Sequence, residues 1–368
     1  MDRAICAVAG SDQLCALCGG LGAGAAASLL AGVGGMCCIS RATGEEYVKL
    51  VLFQTSPTGE INPAVLAGDA VVDISSVVKK RYTPQLTMQG IIDDFDKLRP
   101  ALEKLANSGD RKPLAQVQLK APLPRPGKIL CCIANYWEHA QREARPLNMF
   151  MKNPDAVVGP GDTIELPEYT VPWAFMHEAE LALVIKGPAK MVKQKDWQKA
   201  VFGYTGLIDV SAREIGRRTW PAIPLTSWLG KSFDTFAPIG PCITTADEVK
   251  DPNDLIVRFW VDGVLRHNYN TDDMEHRVPE LVEWATTVMT MNSGDLIACG
   301  TNHEGLGFLQ DGEVCDIEVQ HVGKMTLKVR DPLKRTWEKG VYMGVDSTNP
   351  DAVKRHRPQG GPSATGAI

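Results

Sequence analysis

From Tyr47 onward the chain is a series of short apolar runs broken by turns that contain Gly, Asp or Pro. That pattern predicts strands more than helices. Tyr47-Val-Lys-Leu-Val-Leu-Phe53 is expected to be a strand, and Ala70-Val-Val-Asp-Ile74 another after a Gly-Asp turn. Helical spacing follows over about 89–107, so residues 47–122 are expected to form a small N-terminal α+β domain. Pro122-Leu-Pro-Arg-Pro-Gly127 reads as a turn-rich link to the next unit.

Between 123 and 331 β-branched runs dominate, at 129–133, 181–185, 201–210, 256–261, 296–298 and 314–319. Turns at Gly159-Pro-Gly-Asp162, Asp262-Gly263, Ser293-Gly-Asp295 and Asp311-Gly312 separate them, and one helix is expected over 279–291. Many strands with few helices predict a mainly β, or α+β, catalytic domain that is folded over or barrel-like. The polar stretch 332–368 is expected to be a tail, disordered over 359–368.

Residues 1–46 break the pattern: 14–39 are rich in Gly, Ala, Leu and Cys and carry no charge. A secretory signal fits poorly, because Arg3 is opposed by Asp2 and Asp12 lies close to the apolar run. A membrane helix has the length but too many glycines. The composition favours a poorly ordered extension. Gly22-Ala-Gly24-Ala-Ala-Ala27 approaches a dinucleotide fingerprint, but no strand precedes it and no βαβ series follows. A nucleotide-dependent oxidoreductase is therefore disfavoured.

The rest of the composition narrows the chemistry only a little. The 368 residues suffice for one large domain with an appendage or for two modest ones. Hydrophobic residues at 44% and charged ones at 23% suit a globular enzyme. A net charge of −5 gives no case for nucleic acid or an anionic membrane. The ten cysteines have no zinc-ligand or disulfide spacing. Cys131, Cys132, Cys242, Cys299 and Cys315 read as reduced, buried small hydrophobes, which fits a cytoplasmic protein.

His177-Glu178-Ala-Glu180 leads into the apolar run 181–185. Strand side chains alternate, so Glu178 and Glu180 share a face. Two like charges ahead of a buried strand are costly unless a cation or proton compensates them. Taken alone they could be a solvated edge. Asp209, at the end of Val201-Phe-Gly-Tyr-Thr-Gly-Leu-Ile-Asp209, shifts the balance. Three carboxylates are hard oxygen ligands for Mg²⁺, Mn²⁺ or Ca²⁺ and leave positions open for substrate oxygens. His177 is expected to face away and to pack.

With these residues in place the chain resembles the fumarylacetoacetate hydrolase family over about 128–330, and more weakly back to Tyr47. The resemblance rests on motifs in the family's order. These are Asn135-Tyr-Trp-Glu-His139, Phe150-Met-Lys152 with Gly159-Pro-Gly-Asp162, Glu178-Ala-Glu-Leu, and Gly203-Tyr204 through Asp209 to Arg213. Lys231-Ser-Phe-Asp234, Pro238-Ile-Gly-Pro241, Gly294-Asp295 and Cys299-Gly-Thr301 complete them. It implies a metal on Glu178, Glu180 and Asp209, and a β catalytic domain that usually dimerises. It also implies His139 as base, Lys231 against the substrate and Thr301 in the substrate loop, with Tyr136 and Arg213 beside them. The implied reaction is C–C hydrolysis of a 1,3-dicarbonyl acid through a metal-stabilised enolate; decarboxylation, isomerisation or hydration of a 2-oxo acid is the alternative.

Two departures bear on that expectation. Where many members carry a Glu three residues after the active-site His, this chain has Arg142, and Glu143 follows one later. On a helix Glu143 would share the face of His139 and could orient it, whereas Glu138 would not. The substrate loop reads Gly300-Thr-Asn-His-Glu-Gly305 where many members have Pro after Thr. Asn302 and His303 are therefore candidate substrate contacts, and His303 is a rival acid/base.

Overall fold

The computed structural model describes residues 48–138, 142–168, 173–214 and 229–337. The expected extension 1–46 and the tail beyond 337 lie outside them. The N-terminal strands are β1 Lys49–Gln54, β2 Asn62–Ala67 and β3 Ala70–Asp73. Two helices follow, α1 Pro84–Asp93 and α2 Phe95–Ser108, then the short strands β4 Arg111–Pro113 and β5 Gln118–Lys120. Thr83 starts α1: its hydroxyl accepts the Leu86 N–H, and Pro84 occupies the first turn, where no N–H is needed.

The next strands are β6 Ile129–Cys132, β7 Met149–Lys152, β8 Val157–Val158, β9 Thr163–Glu165 and β10 Trp173–Met176. Then come β11 Ala179–Ile185, β12 Val201–Ile208, β13 Ser211–Glu214 and β14 Ala237–Thr245. The last group holds β15 Ile256–Val261, β16 Val264–Asn270, helix α3 Val278–Val288, β17 Leu296–Ala298, β18 Val314–Val319 and β19 Gly323–Arg330. Helix α3 matches the helix expected over 279–291, and the fold is mainly β.

The largest sheet runs β4-β3-β2-β1-β14-β12-β11-β17-β6-β7. Strand β1 pairs antiparallel with β14, so the N-terminal strands extend the sheet of the later half. Strands β11, β12 and β14 are buried at every position, as the continuous apolar runs require of strands covered on both faces. Leu181, Leu183 and Ile185 enter one core, and Ala182 and Val184 the other. A second sheet, β16-β15-β18-β19-β9, covers one face and alternates buried with exposed residues. The Asp262-Gly263 turn joins β15 to β16 with φ of 48° and 74°, the left-handed pair that matches strand twist.

Of the strands that the apolar runs do not predict, two are instructive for opposite reasons. β14 contains Pro238 and Pro241, which argue against a central strand. Its pairing with β12 shifts register between Tyr204 and Gly206, opposite Gly240, and that irregularity accommodates Pro241. β19, by contrast, alternates cleanly in burial and was legible but unread.

The large sheet also curls. β7 lies four places from β12 in the strand order, about 19 Å away were the sheet flat. Instead β8, just after β7, pairs with β14, and the ammonium of Lys152 reaches Asp209 Oδ1 at 2.5 Å. This folding-over builds the site.

Candidate metal centre and its surroundings

Antiparallel pairing sets the first two ligands. Ala179 opposes Ile208 and Glu180 opposes Leu207, and the ladder continues with Asp209 N–H donating to the Glu178 carbonyl at 2.7 Å. Glu178 and Asp209 thus face each other across the strand pair, an arrangement unfavourable for like charges. Glu180 stands two residues along the same face. The three carboxylates converge with one oxygen from each within 4.8 Å of the others. Their residues are 5%, 1% and 1% exposed for Glu178, Glu180 and Asp209.

Buried lysines supply part of the compensation. Lys231 Nζ donates to Glu178 Oε2 at 2.7 Å, to Ser211 Oγ at 2.5 Å and to Asp209 Oδ2. Lys152 Nζ donates to Asp209 Oδ1 and to the carbonyl of Val210 at 3.2 Å. The Gly300 N–H donates to Glu180 Oε2 at 2.7 Å, and Gly300 reaches this position with φ of +87°.

Two ammoniums against three carboxylates leave a negative surplus. It falls on Glu180: burial, then the charges of Asp209 and Glu178, push its carboxyl well above the ordinary range. The donor set fits a hard divalent cation, three oxygens on one side with room for oxygens from a substrate. Such an ion would relieve the strain at Glu180.

The match to known proteins agrees. Residues 128–330 fit the family model described as fumarylacetoacetate (FAA) hydrolase, C-terminal. The chain belongs to the fumarylacetoacetate hydrolase family. It is 33% identical over 298 residues to the mitochondrial oxaloacetate tautomerase fahd2 of Xenopus laevis, covering 76% of this chain and 89% of that protein. It is 30% identical over 285 residues to maleylpyruvate hydrolase of Aquipseudomonas alcaligenes, covering 72% and 95%. The crystal structure of maleylpyruvate hydrolase from Sphingobium sp. SYK-6, in complex with manganese(II) and pyruvate, superposes with a TM-score of 0.67. That pair shares 36% identity over 77% of this chain and 99% of the other. As a member of this family of hydrolases and isomerases, the chain is an enzyme.

The structure sorts the remaining sequence expectations. Lys231 joins the carboxylates, and Thr301 and Asn302 are buried on the loop after β17, where His303 also lies. Tyr136 is fully buried, edge-on to Tyr269 at 5.0 Å, in the packing next to the site. His139 and the side chain of Arg213 lie outside the described residues. The proposed helical pairing of Glu143 with His139 needs correction: 142–148 contain no helix, and Glu143 is exposed. Glu138, which was not expected to orient His139, instead holds a different histidine, His303, at 2.5 Å. His177 packs as expected, stacked on Phe259 at 4.4 Å and bonded through Nδ1 to His267 Nε2 at 3.0 Å. Burial pushes the His177 pKa well down.

The sequence reading missed Lys152, Ser211 and the Gly300 N–H. Lys152 carried a usable signal, since a lysine in an apolar strand is almost never buried without a partner. The five described cysteines are free and buried, as expected, with burial raising every thiol pKa. No helix among the described residues is long and apolar enough to cross a membrane.

Proposed function

We propose that this enzyme hydrolyses the C–C bond of a small 1,3-dicarbonyl acid of the acylpyruvate class, using Mg²⁺ or Mn²⁺ held by Glu178, Glu180 and Asp209. The observation that carries the reading is the under-compensated carboxylate trio beside Lys231. The cation, when bound, acts as a Lewis acid toward the oxygens of a 2-oxo acid. Lys231 and Lys152 pair with Asp209 and hold it in place, and Gly300 fixes Glu180. The buried walls keep water from screening these charges. In the reaction, water adds to the distal carbonyl, the C–C bond breaks toward the methylene carbon, and that carbon takes up a proton. A base on this chain must collect the proton that water gives up; the family resemblance offers His139 for it, and His303 in the substrate loop is its rival.

A second reading, tautomerisation or isomerisation of a 2-oxo diacid, is favoured by the named tautomerase that covers 76% of the chain. It uses the same proton transfer without the addition of water. The reading further includes a homodimer, checked by light scattering, and a cytoplasmic location, checked by imaging a tagged full-length chain. The chemical test is a panel of acylpyruvates and 2-oxo diacids, assayed with Mg²⁺ or Mn²⁺ and again with EDTA. Acid plus pyruvate as products, lost on chelation, is the expected result. Full activity in EDTA would refute the role of the cation, and enol–keto conversion without cleavage would select the second reading.

A further inference from the structure

The loop after β17 is fixed at both ends. Gly300 and Gly305 have φ of +87° and +88°, and a Cβ on Gly305 would stand 1.9 Å from the Arg266 carbonyl oxygen. Between them Asn302 Nδ2 donates to Asp273 Oδ2 at 3.1 Å. The same oxygen accepts the main-chain N–H of Glu138 at 3.2 Å, and the Asp273 carbonyl accepts that of Trp137 at 3.0 Å. Asp273 thus pins two separate segments, which also meet directly through Glu138 and His303. Glu138 Oε1 accepts the main-chain N–H of His303 at 2.9 Å and its ring Nδ1 at 2.5 Å. Glu138 adopts φ of +52° to do so, a region non-glycine residues rarely occupy.

We propose that His303 carries the proton in this site and that Glu138 is its positioning residue, an inference that rests on the 2-oxo acid reading above. With Nδ1 donating to the Glu138 carboxylate, Nε2 is the ring nitrogen left to take up and release a proton. Holding both the ring and the main chain from one oxygen fixes the ring's orientation. Both side chains are 16% exposed, open to a small molecule yet sheltered from bulk water. His303 is three residues beyond Gly300, so its backbone lies within about 11 Å of the amide that binds Glu180. The other charged groups nearby are engaged or turned out. Arg142 and Arg145 bind Glu275, and Glu143 is exposed.

The step balances without a further reactant. In hydrolysis, Nε2 takes a proton from water as the new C–O bond forms. The C–C electron pair then moves to the methylene carbon of the pyruvate half, and Nε2–H returns the proton there. In tautomerisation Nε2 takes the proton from the carbon between the carbonyls and delivers it to oxygen.

The test follows proton transfer apart from cleavage. Full-length wild type with Mn²⁺ is incubated with pyruvate in D₂O, and deuterium entry into the methyl group is read by NMR, alongside acylpyruvate turnover. His303→Ala should slow exchange by about 10²–10⁴-fold, with added imidazole restoring part of it and Mn²⁺ affinity unchanged. Glu138→Gln should lower kcat by about 10–100-fold at nearly constant KM, as loss of an orienting partner does. If His303→Ala exchanges normally while His139→Ala does not, the proposal is overturned. Loss without imidazole rescue and with a lowered melting temperature also overturns it, because the role is then structural. Exchange without cleavage by wild type sinks the hydrolase reading and leaves this pair standing. No exchange by wild type removes both.

Discussion

Two buried acidic clusters, well separated along the chain, show what separates a structural ion pair from a metal site. At Glu275 one carboxylate receives two guanidiniums: Arg145 Nε bonds Oε1 at 2.8 Å, Arg142 Nη1 bonds Oε2 at 3.1 Å, and the Arg145 N–H adds a bond of 2.7 Å. Burial would raise the Glu275 pKa, but these bonds outweigh it and the carboxyl sits below its usual range. At Glu178, Glu180 and Asp209 the proportion is reversed, with three carboxylates to two ammoniums, and Glu180 is pushed up. The first cluster is complete without a ligand. The second holds one carboxylate more than its ammoniums pair, which a cation or a proton on Glu180 would balance, and that difference in charge count marks the candidate functional centre.

Charge-neutralising substitutions should separate the clusters, and the largest effects belong to the trio. Glu180→Gln should abolish cation binding and turnover without lowering stability, because it removes the surplus charge. Asp209→Asn should also abolish binding, but at a cost of about 3–5 kcal/mol of stability, since it removes the carboxylate that Lys152 pairs with and leaves Lys231 only Glu178. Chemical denaturation beside activity assays reads both. A Glu180→Gln protein as destabilised as Asp209→Asn would mean that the charge count is wrong.

Glu275→Gln gives the converse. It should lose about 3–5 kcal/mol, measured by denaturation, while the isolated cation affinity stays near wild type. Loss of cation binding in a folded Glu275→Gln protein would show that the clusters are one system.

Glu248 offers an intermediate and smaller effect. Burial raises its pKa from 4.5 to about 7, and nearby Lys49 and the Thr245 hydroxyl only partly offset that. With the folded value above the unfolded one, stability is fully present below pH 4.5 and falls as pH rises toward about 7. Glu248→Gln should flatten that slope and stabilise the protein above pH 7 by about 1–3 kcal/mol. Denaturant midpoints at pH 5 and pH 8 would decide; an unchanged slope contradicts the assignment.

Much of this contrast was legible in advance. The i, i+2 spacing of Glu178 and Glu180 at a strand entrance and the strand run ending at Asp209 need only the two-residue period of a strand. The curling of the sheet, and with it which carboxylate Lys152 pairs with, was not legible, because it depends on β8 pairing with β14, a long-range contact with no local signal. The Glu138–His303 contact was hidden for a related reason. A helical period applied after His139 favoured Glu143, whereas 142–148 are not helical and a left-handed Glu138 turns the chain toward the substrate loop. Local periods predict strands well; they fail where a turn decides which residues meet.

The central claim is that the trio is a cation site because its charge is under-compensated. The most direct measurement is calorimetric titration of Mn²⁺ into wild type and into Glu180→Gln, with folding of both confirmed by circular dichroism. The account predicts a single site in wild type, and no detectable binding in a Glu180→Gln protein that is at least as stable. Equal Mn²⁺ binding by the two proteins would contradict it.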